Sequence, residues 1–494
     1  MNLDQLRFDN RLAALGEPYA TRVTPAPLSR PRLLHGNDEV AALLDLNPTQ
    51  FATQAFVDAM AGNRLLPGSE PVATLYAGHQ FGVWVPQLGD GRAILLGQVR
   101  NARGESWDLQ LKGAGQTPYS RFADGRAVIR SSVREYLCGE AMHHLGIATT
   151  RALSLIVADD PVRRETLEHA AVVCRVAPSH IRFGHFEVYY YRGQHERLAP
   201  LADHVIAEHF PALRESPGRH RLWLAEVIER TARLMARWQS VGFCHGVMNT
   251  DNMSVLGLTL DYGPYGFLDA FDAHHICNHT DEGGRYAYDR QPAIGFWNCT
   301  RLLQATLPLL HVDENEAVKI AEGLLERYGP VYAETVTGLW RAKLGLREAR
   351  DGDPDLINRF LSFLHQGRSD FTRSFRALAR VAVADGGDAS ALRDRLLAVE
   401  AFDGWLPDYR ARLRAEDSRD DGARATRMDA VNPKYVLRNH LAQRAIEDAE
   451  RGSGAEIARL LAILRRPYDE QPEHEAYADE PPPEARHIEV SCSS

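Results

Sequence analysis

The sequence predicts an α+β fold of two lobes, the first rich in strands and the second in helices, with an extension at each end. Three observations carry that prediction. Between Pro71 and about Gly193, β-branched and aromatic runs flank a single amphipathic helix. LADHVIAEHF, the run 221–241 and most of 300–465 carry apolar residues at helical spacing. Prolines cluster near both ends, in TPAPLSRPRLL and in PPPEAR, where neither helix nor sheet is favoured. The chain divides accordingly into 1–70, an extension wrapping the core; 71–200, strands plus one helix; 201–465, helices; and 466–494, an acidic, proline-rich tail.

Each element has its own signal. VWVPQLGDGRAILLGQV reads as strand, tight Gly-Asp-Gly turn and strand, and WDLQLKG alternates as a third strand after a polar turn. Ile129, Val133, Leu137, Ala141 and Leu145 recur every four residues, which predicts a helix stopped by Gly146. ALSLIV, AAVVCRVA and FEVYYYRG follow as strands, then LADHVIAEHF and 221–241 as helices. The tail from Pro467 has little capacity to form a core of its own.

Composition excludes several function classes. With 44% hydrophobic and 25% charged residues the chain belongs with soluble globular proteins. A net charge of −9 supplies no basic field for nucleic acid, and no apolar run approaches a membrane span, so a cytoplasmic protein with neither partner is expected. The six cysteines form no CxxC pair, which points away from zinc ribbons and secreted disulfide frameworks.

The polar residues fall in a pattern that a strand-rich lobe followed by helices makes interpretable. Gly89 and Gly91 flank Asp90 in a turn that lets backbone approach phosphates, although such turns also arise for conformational reasons alone. Lys112 lies on the strand face opposite Leu109 and Leu111, and Glu135 follows on the helix; together they suit a phosphate-holding ion pair, and in isolation a surface pair. His245-Gly246-Val247-Met248-Asn249-Thr250-Asp251-Asn252 followed by Asp261-Tyr262-Gly263 resembles the catalytic loop and metal-binding Asp-Phe-Gly of protein kinases. Asn252 and Asp261 occupy the metal-binding positions. The base position is Val247, which accepts no proton, and Asp251 is the substitute. The expected fold is therefore protein-kinase-like.

YAGHQFG, GDGRAILLGQV, DLQLKGAGQTPYSRFADGRAVIRSSVREYL, HGVMNTDN, LDYGPYGFLDAF, RYAYDRQP and the terminal SCSS closely resemble the selenoprotein O family of protein adenylyltransferases, almost end to end. The resemblance implies a pseudokinase that binds ATP in reversed orientation and transfers AMP to protein Ser, Thr or Tyr. It implies nucleotide contacts at Gly89, Gly91, Arg92, Lys112, Asp124, Gly125, Arg175, Arg182 and Asp261, with Asn252 and Asp261 on Mg²⁺ or Mn²⁺ and Asp251 as proton acceptor. Read alone, Arg175 and Arg182 are solvated strand-edge charges and Asp124 a turn residue; paired guanidinium forks also suit a buried diphosphate. A phosphotransferase, a silent ATP-binding scaffold and uridylyl transfer remain the alternatives.

Asp272, His274, His275, Cys277, His279 and Asp281 crowd one segment whose spacing matches no structural-zinc pattern, so a polar, solvated loop is expected. Eukaryotic members of the family carry selenocysteine where this chain has Cys492. That position, a terminal setting, and a polar segment able to favour thiolate at Cys277 predict a reversible Cys277–Cys492 disulfide.

Overall fold

The computed structural model describes residues 1–416, 420–485, 488 and 490 of the 494. Its strands are β1 (Ala20–Arg22), β2 (Arg32–Gly36), β3 (Val72–Thr74), β4 (Gly78–Gln80), β5 (Val83–Val85), β6 (Ala93–Arg100), β7 (Ser106–Lys112), β8 (Ala127–Val128), β9 (Arg151–Arg163), β10 (Leu167–Ala177), β11 (Phe243–Cys244) and β12 (Gly266–Phe267). One antiparallel sheet runs in the order β1-β3-β6-β7-β10-β9-β2, with β8 on β10; β4–β5 and β11–β12 pair separately.

Both end strands of that path come from residues 1–70, so the extension is part of the sheet and covers edges that would otherwise expose unpaired backbone. It also supplies Val40, Leu44, Phe56 and Met60, which pack with Ile94, Leu109, Leu111 and Cys174 on one face of the sheet. The opposite face meets the helix Ile129–His144, whose Ile129, Val133 and Leu137 join Leu155, Val157 and Val173 in a second core. Because side chains alternate along a strand, Leu109 and Leu111 face the extension while Gln110 and Lys112 face the helix that carries Glu135.

Two sequence expectations need correction. The strands flanking Gly89-Asp90-Gly91 do not pair with each other: β5 pairs with β4 in register His79 to Trp84, while β6 pairs with β3 and β7. FEVYYYRG is not a strand but lies largely within the helix Gly184–Tyr191, because tertiary packing of Phe186, Val188 and Tyr189 into the core outweighs β propensity. The region 71–200 thus holds more than one helix.

Beyond it, the helices Leu198–His209, Arg219–Ser240 and Gln291–Leu310 extend the same core, with Trp223 and Trp238 fully buried. The helices Asn439–Glu450 and Ala455–Leu464 return to pack on Ile129–His144. A separate aromatic core holds Phe360, Phe375, Trp405 and Tyr409. The described part of the tail docks on these helices: Tyr477 is buried and donates from its hydroxyl to Glu456, 2.9 Å away. Among the described residues, no helix is long and apolar enough to cross a membrane.

Candidate active site

A cleft of about 810 Å³ opens between the sheet and the Val247–Asp261 segment. Gly89, Gly91, Arg92, Lys112, Asp124, Gly125, Arg175, Arg182, Asp251, Asn252 and Asp261 all line it. Sheet register explains part of that convergence. β10 lies beside β7, placing Arg175 opposite Gln110 and within reach of the Lys112–Glu135 pair.

One end of the cleft is a chain of alternating charges. Lys112 Nζ donates to Glu135 Oε2, Arg175 Nε to Glu135 Oε1, Arg175 Nη2 to Asp261 Oδ1, and Arg182 Nη1 to Asp261 Oδ2. Arg182 also donates to the Asp251 carbonyl at 2.8 Å, and its guanidinium lies over the Tyr76 ring. Burial would raise the Asp261 carboxyl, but Arg175, Arg182 and Lys112 outweigh it and hold the group well below the usual aspartate range. Burial pulls the Lys112 ammonium down to about 8 against the attraction of Glu135. Arg92 stands in the same cleft, and its side chain has no hydrogen-bond or ion-pair partner among the described residues. Four cations therefore face two carboxylates, an excess that suits a polyanion.

The glycines act differently from the sequence expectation. A Cβ at Gly89 would lie 2.6 Å from Tyr119 Cγ, one at Gly91 2.9 Å from the Tyr119 carbonyl oxygen, and one at Gly125 2.2 Å from the Gly115 carbonyl. Their missing side chains thus admit neighbouring loops, and those loops form the cleft wall. Asp90 anchors the turn by accepting from Thr74 N at 2.9 Å and Thr74 Oγ1 at 2.6 Å. Asp124 sits at the rim, accepting from Arg164 Nη1 at 2.7 Å and from its Nη2 at 3.0 Å.

The other end is organised around Asp251. Its Oδ2 accepts from Gln80 Nε2 at 3.2 Å, while Oδ1 is buried with no hydrogen-bond partner among the described residues. Burial pushes its carboxyl up to about 7, against the Gln80 hydrogen bond and the Arg182 charge. A carboxyl poised there with an unpartnered oxygen is suited to take a proton near neutral pH. The β4–β5 hairpin fixes it in place. His79 N donates to Thr250 Oγ1 at 2.7 Å, Phe81 N to Asn249 Oδ1 at 3.2 Å, and Thr250 Oγ1 to Glu187 Oε2. Gly78 is obligatory, since a Cβ there would lie 2.5 Å from Asp251 Oδ1. Neither Gln80 nor Gly78 was marked by spacing or charge; the only signal was their place in the YAGHQFG string.

Asn252 Nδ2 donates to the Val247 carbonyl at 3.1 Å, leaving Oδ1 turned toward Arg182 and the Asp261 side of the cleft. Amide and carboxylate oxygens are the donors a hard divalent cation prefers, and here they face Arg175 and Arg182. The segment 272–281 is less solvated than expected. Cys277 and Asp281 are buried and His275 is half-buried, Asp281 accepts from Tyr286 N at 2.7 Å, and Asp272 pairs with Arg368. Cys277 does not favour thiolate: burial, with Cys244 beside it, pushes its thiol well above the ordinary range. Cys492 lies outside the described residues.

The chain is similar to known proteins over nearly its whole length. The family model described as protein adenylyltransferase SelO matches residues 2–465. A protein nucleotidyltransferase YdiU of Methylococcus capsulatus is 58% identical, covering 97% of this chain and 95% of its own. Proteins of the same name from Myxococcus xanthus and Thioalkalivibrio sulfidiphilus are each 54% identical over 100% of this chain and 99% of theirs. The chain belongs to the SelO family of protein adenylyltransferases.

Proposed function

We propose that the cleft holds ATP with its β- and γ-phosphates against Lys112, Arg175 and Arg182, in a two-lobed, kinase-like fold with the nucleotide reversed relative to kinases. AMP then passes to a Ser, Thr or Tyr hydroxyl of a protein. The acceptor oxygen forms a bond to the α-phosphorus as the bond to the pyrophosphate oxygen breaks, and the hydroxyl proton moves to Asp251 Oδ1. The observation that carries this is the separation of charge in the cleft: cations gather at the Glu135–Asp261 end, and the carboxyl able to accept a proton stands at the other. A diphosphate leaving group and an incoming hydroxyl need those opposite environments.

Asn252 and Asp261 would hold Mg²⁺ or Mn²⁺, which when bound supplies neutralising charge to the phosphates. Arg92, Gly89, Gly91, Asp124 and Gly125 would complete the nucleotide contacts. Val247 lines the cleft where a kinase has its base and offers no proton acceptor, which weighs against phosphoryl transfer.

Incubation with ATP labelled at the α- or the γ-phosphate tests the proposal. Label reaching protein from the α-position alone is expected; γ-label transfer would make the protein a kinase, and no transfer a scaffold. Competition by UTP reads the base preference. A Cys277–Cys492 disulfide is part of the same proposal. It is supported by His279 N donating to the Val490 carbonyl at 2.9 Å, two residues before Cys492 in sequence. Thiol-blocking mass spectrometry under oxidising conditions checks it, and full alkylation of both residues would dismiss it.

A further inference from the structure

The β4–β5 hairpin does more than brace Asp251. Its two turn residues both adopt positive φ, Phe81 at 51° and Gly82 at 83°. That backbone is natural for glycine and costly for phenylalanine. Phe81 is held in it by its N–H, which donates to Asn249 Oδ1 and, at 2.9 Å, to the Tyr286 hydroxyl oxygen. The strain places an exposed aromatic side chain at the mouth of the cleft, next to Gln80 and the base, with Val83 exposed beside it.

Behind this tip stands an aromatic plate with two cations that lie beside the Tyr286 and Tyr191 hydroxyls and have no carboxylate partner among the described residues. The guanidinium of Arg285 lies 4.7 Å and that of Arg301 5.2 Å from the centre of the Trp297 ring. The two charges are therefore no more than about 10 Å apart, within a Debye length at ordinary salt. Among the described residues neither has a carboxylate within ion-pair distance, and the Nε of each is buried without a hydrogen-bond partner. Two partly buried like charges on one ring repel each other, and an anion beside them relieves the repulsion. Arg285 also lies against the hairpin turn: a Cβ at Gly82 would sit 3.1 Å from its Cζ.

We propose that this surface docks the protein acceptor through an acidic side chain flanking the hydroxyl that is modified. The occupant follows from charge complementarity to Arg285 and Arg301, with Phe81 and Val83 taking an apolar neighbour. Gln80, Phe81 and Gly82 lead in sequence from the base to Arg285. An extended peptide advances about 3.3–3.6 Å per residue, so the acidic side chain falls within roughly four residues of the hydroxyl. The proposal rests on the cleft being a protein-modifying site.

The test measures binding separately from chemistry. Fluorescence anisotropy on the full-length protein compares short labelled peptides with one serine flanked by glutamate, by glutamine or by lysine. The glutamate peptide is expected to bind about tenfold more tightly than the glutamine one, with the advantage shrinking as salt rises. Arg285→Gln/Arg301→Gln should erase the difference, and Arg285→Glu/Arg301→Glu should transfer the preference to the lysine peptide. Labelled ATP, titrated in parallel, should bind all forms alike and so report an intact cleft. Equal binding of the three peptides, or a glutamate preference that survives the double substitutions, overturns the docking assignment. α-Label transfer to protein without acidic preference would sink docking and leave AMP transfer standing, while acidic preference without transfer would do the reverse.

Discussion

Asp251 and Asp261 are ten residues apart on one segment and line one cleft, yet the protein treats them as opposites. Asp261 is gripped by Arg175 and Arg182, and its charge is stabilised by three cations. Asp251 faces the hairpin, receives one neutral hydrogen bond from Gln80, and is held near 7 by burial. Burial alone disfavours ionisation at both sites, so the difference comes entirely from which side chains surround them. A group whose charge is permanent can organise cations and phosphates. One whose charge is conditional can exchange a proton.

The largest effects should come from exchanging these identities. Asp261→Ala is expected to lower transfer by ~10³-fold or more, since charge placement at the phosphates is lost. It should also abolish the metal-dependent part of ATP binding, read by titration with and without chelator. Arg175 and Arg182 would lose their shared carboxylate, and melting should show a destabilisation on the order of 3 kcal/mol. Asp251→Asn should cost ~10²–10³-fold in turnover with ATP affinity unchanged.

The two variants should also move stability in opposite directions. Asp251's folded pKa of about 7 lies above the ordinary value of about 3.9, so between those values the folded chain keeps a proton the unfolded chain has lost. Wild-type stability therefore falls as pH rises through that window and levels off above it. Asp251→Asn removes the dependence. Calorimetry should find this variant more stable than wild type at pH 8 and equal to it near pH 4. Asp261, whose folded pKa is depressed, contributes stability that is lost only as pH falls into the acid range.

Much of the charged half of this comparison is legible in the sequence. Lys112, Glu135, Asn252 and Asp261 sit at kinase-like spacings that pick them out before their contacts are known, and the absence of a base at Val247 directs attention to Asp251. The other half is not legible, because its determinants are neutral or absent side chains. Gly78 matters through an atom it lacks, and Gln80 through one hydrogen bond made across 171 residues of sequence. The same limit applies to the fold. The helix Ile129–His144 shows its period, whereas Gly184–Tyr191 is helical through burial against partners distant in sequence. Nor does periodicity reveal that β1 and β2 of the extension close the sheet's edges, since pairing partners are fixed by tertiary structure.

A subtler break in the comparison is Gly78→Ala. The added methyl would meet Asp251 Oδ1 at 2.5 Å and Asp251 Cβ at 2.9 Å, so Asp251 must move while Asp261 and its cations stay in place. A displacement of about 1 Å costs as much as 10²-fold in a positioned reaction. Turnover should fall accordingly, with ATP affinity preserved in the same titration. A matching loss of ATP affinity would show that the two ends of the cleft are mechanically coupled.

The smallest change sharpens the contrast most. Gln80→Leu keeps size and removes the only side-chain hydrogen bond that Asp251's carboxyl accepts among the described residues. That bond lowers the carboxyl's pKa, so its loss should raise the midpoint of the pH–rate profile above that of the wild type. If Asp251 is the proposed base it must be ionised to act, and activity should rise with pH through the midpoint. For a midpoint displaced by ~1 unit, the ionised fraction at pH 7 drops about fivefold, while at pH 9 the two enzymes converge. A purely structural defect would lower activity by the same factor at every pH. Gln80→Glu separates the cases further: a second carboxylate beside Asp251 should push the midpoint higher still, whereas Gln80→Asn, with its shorter amide, should fall between wild type and leucine. A profile that keeps its midpoint in all three variants would mean that burial alone sets the base.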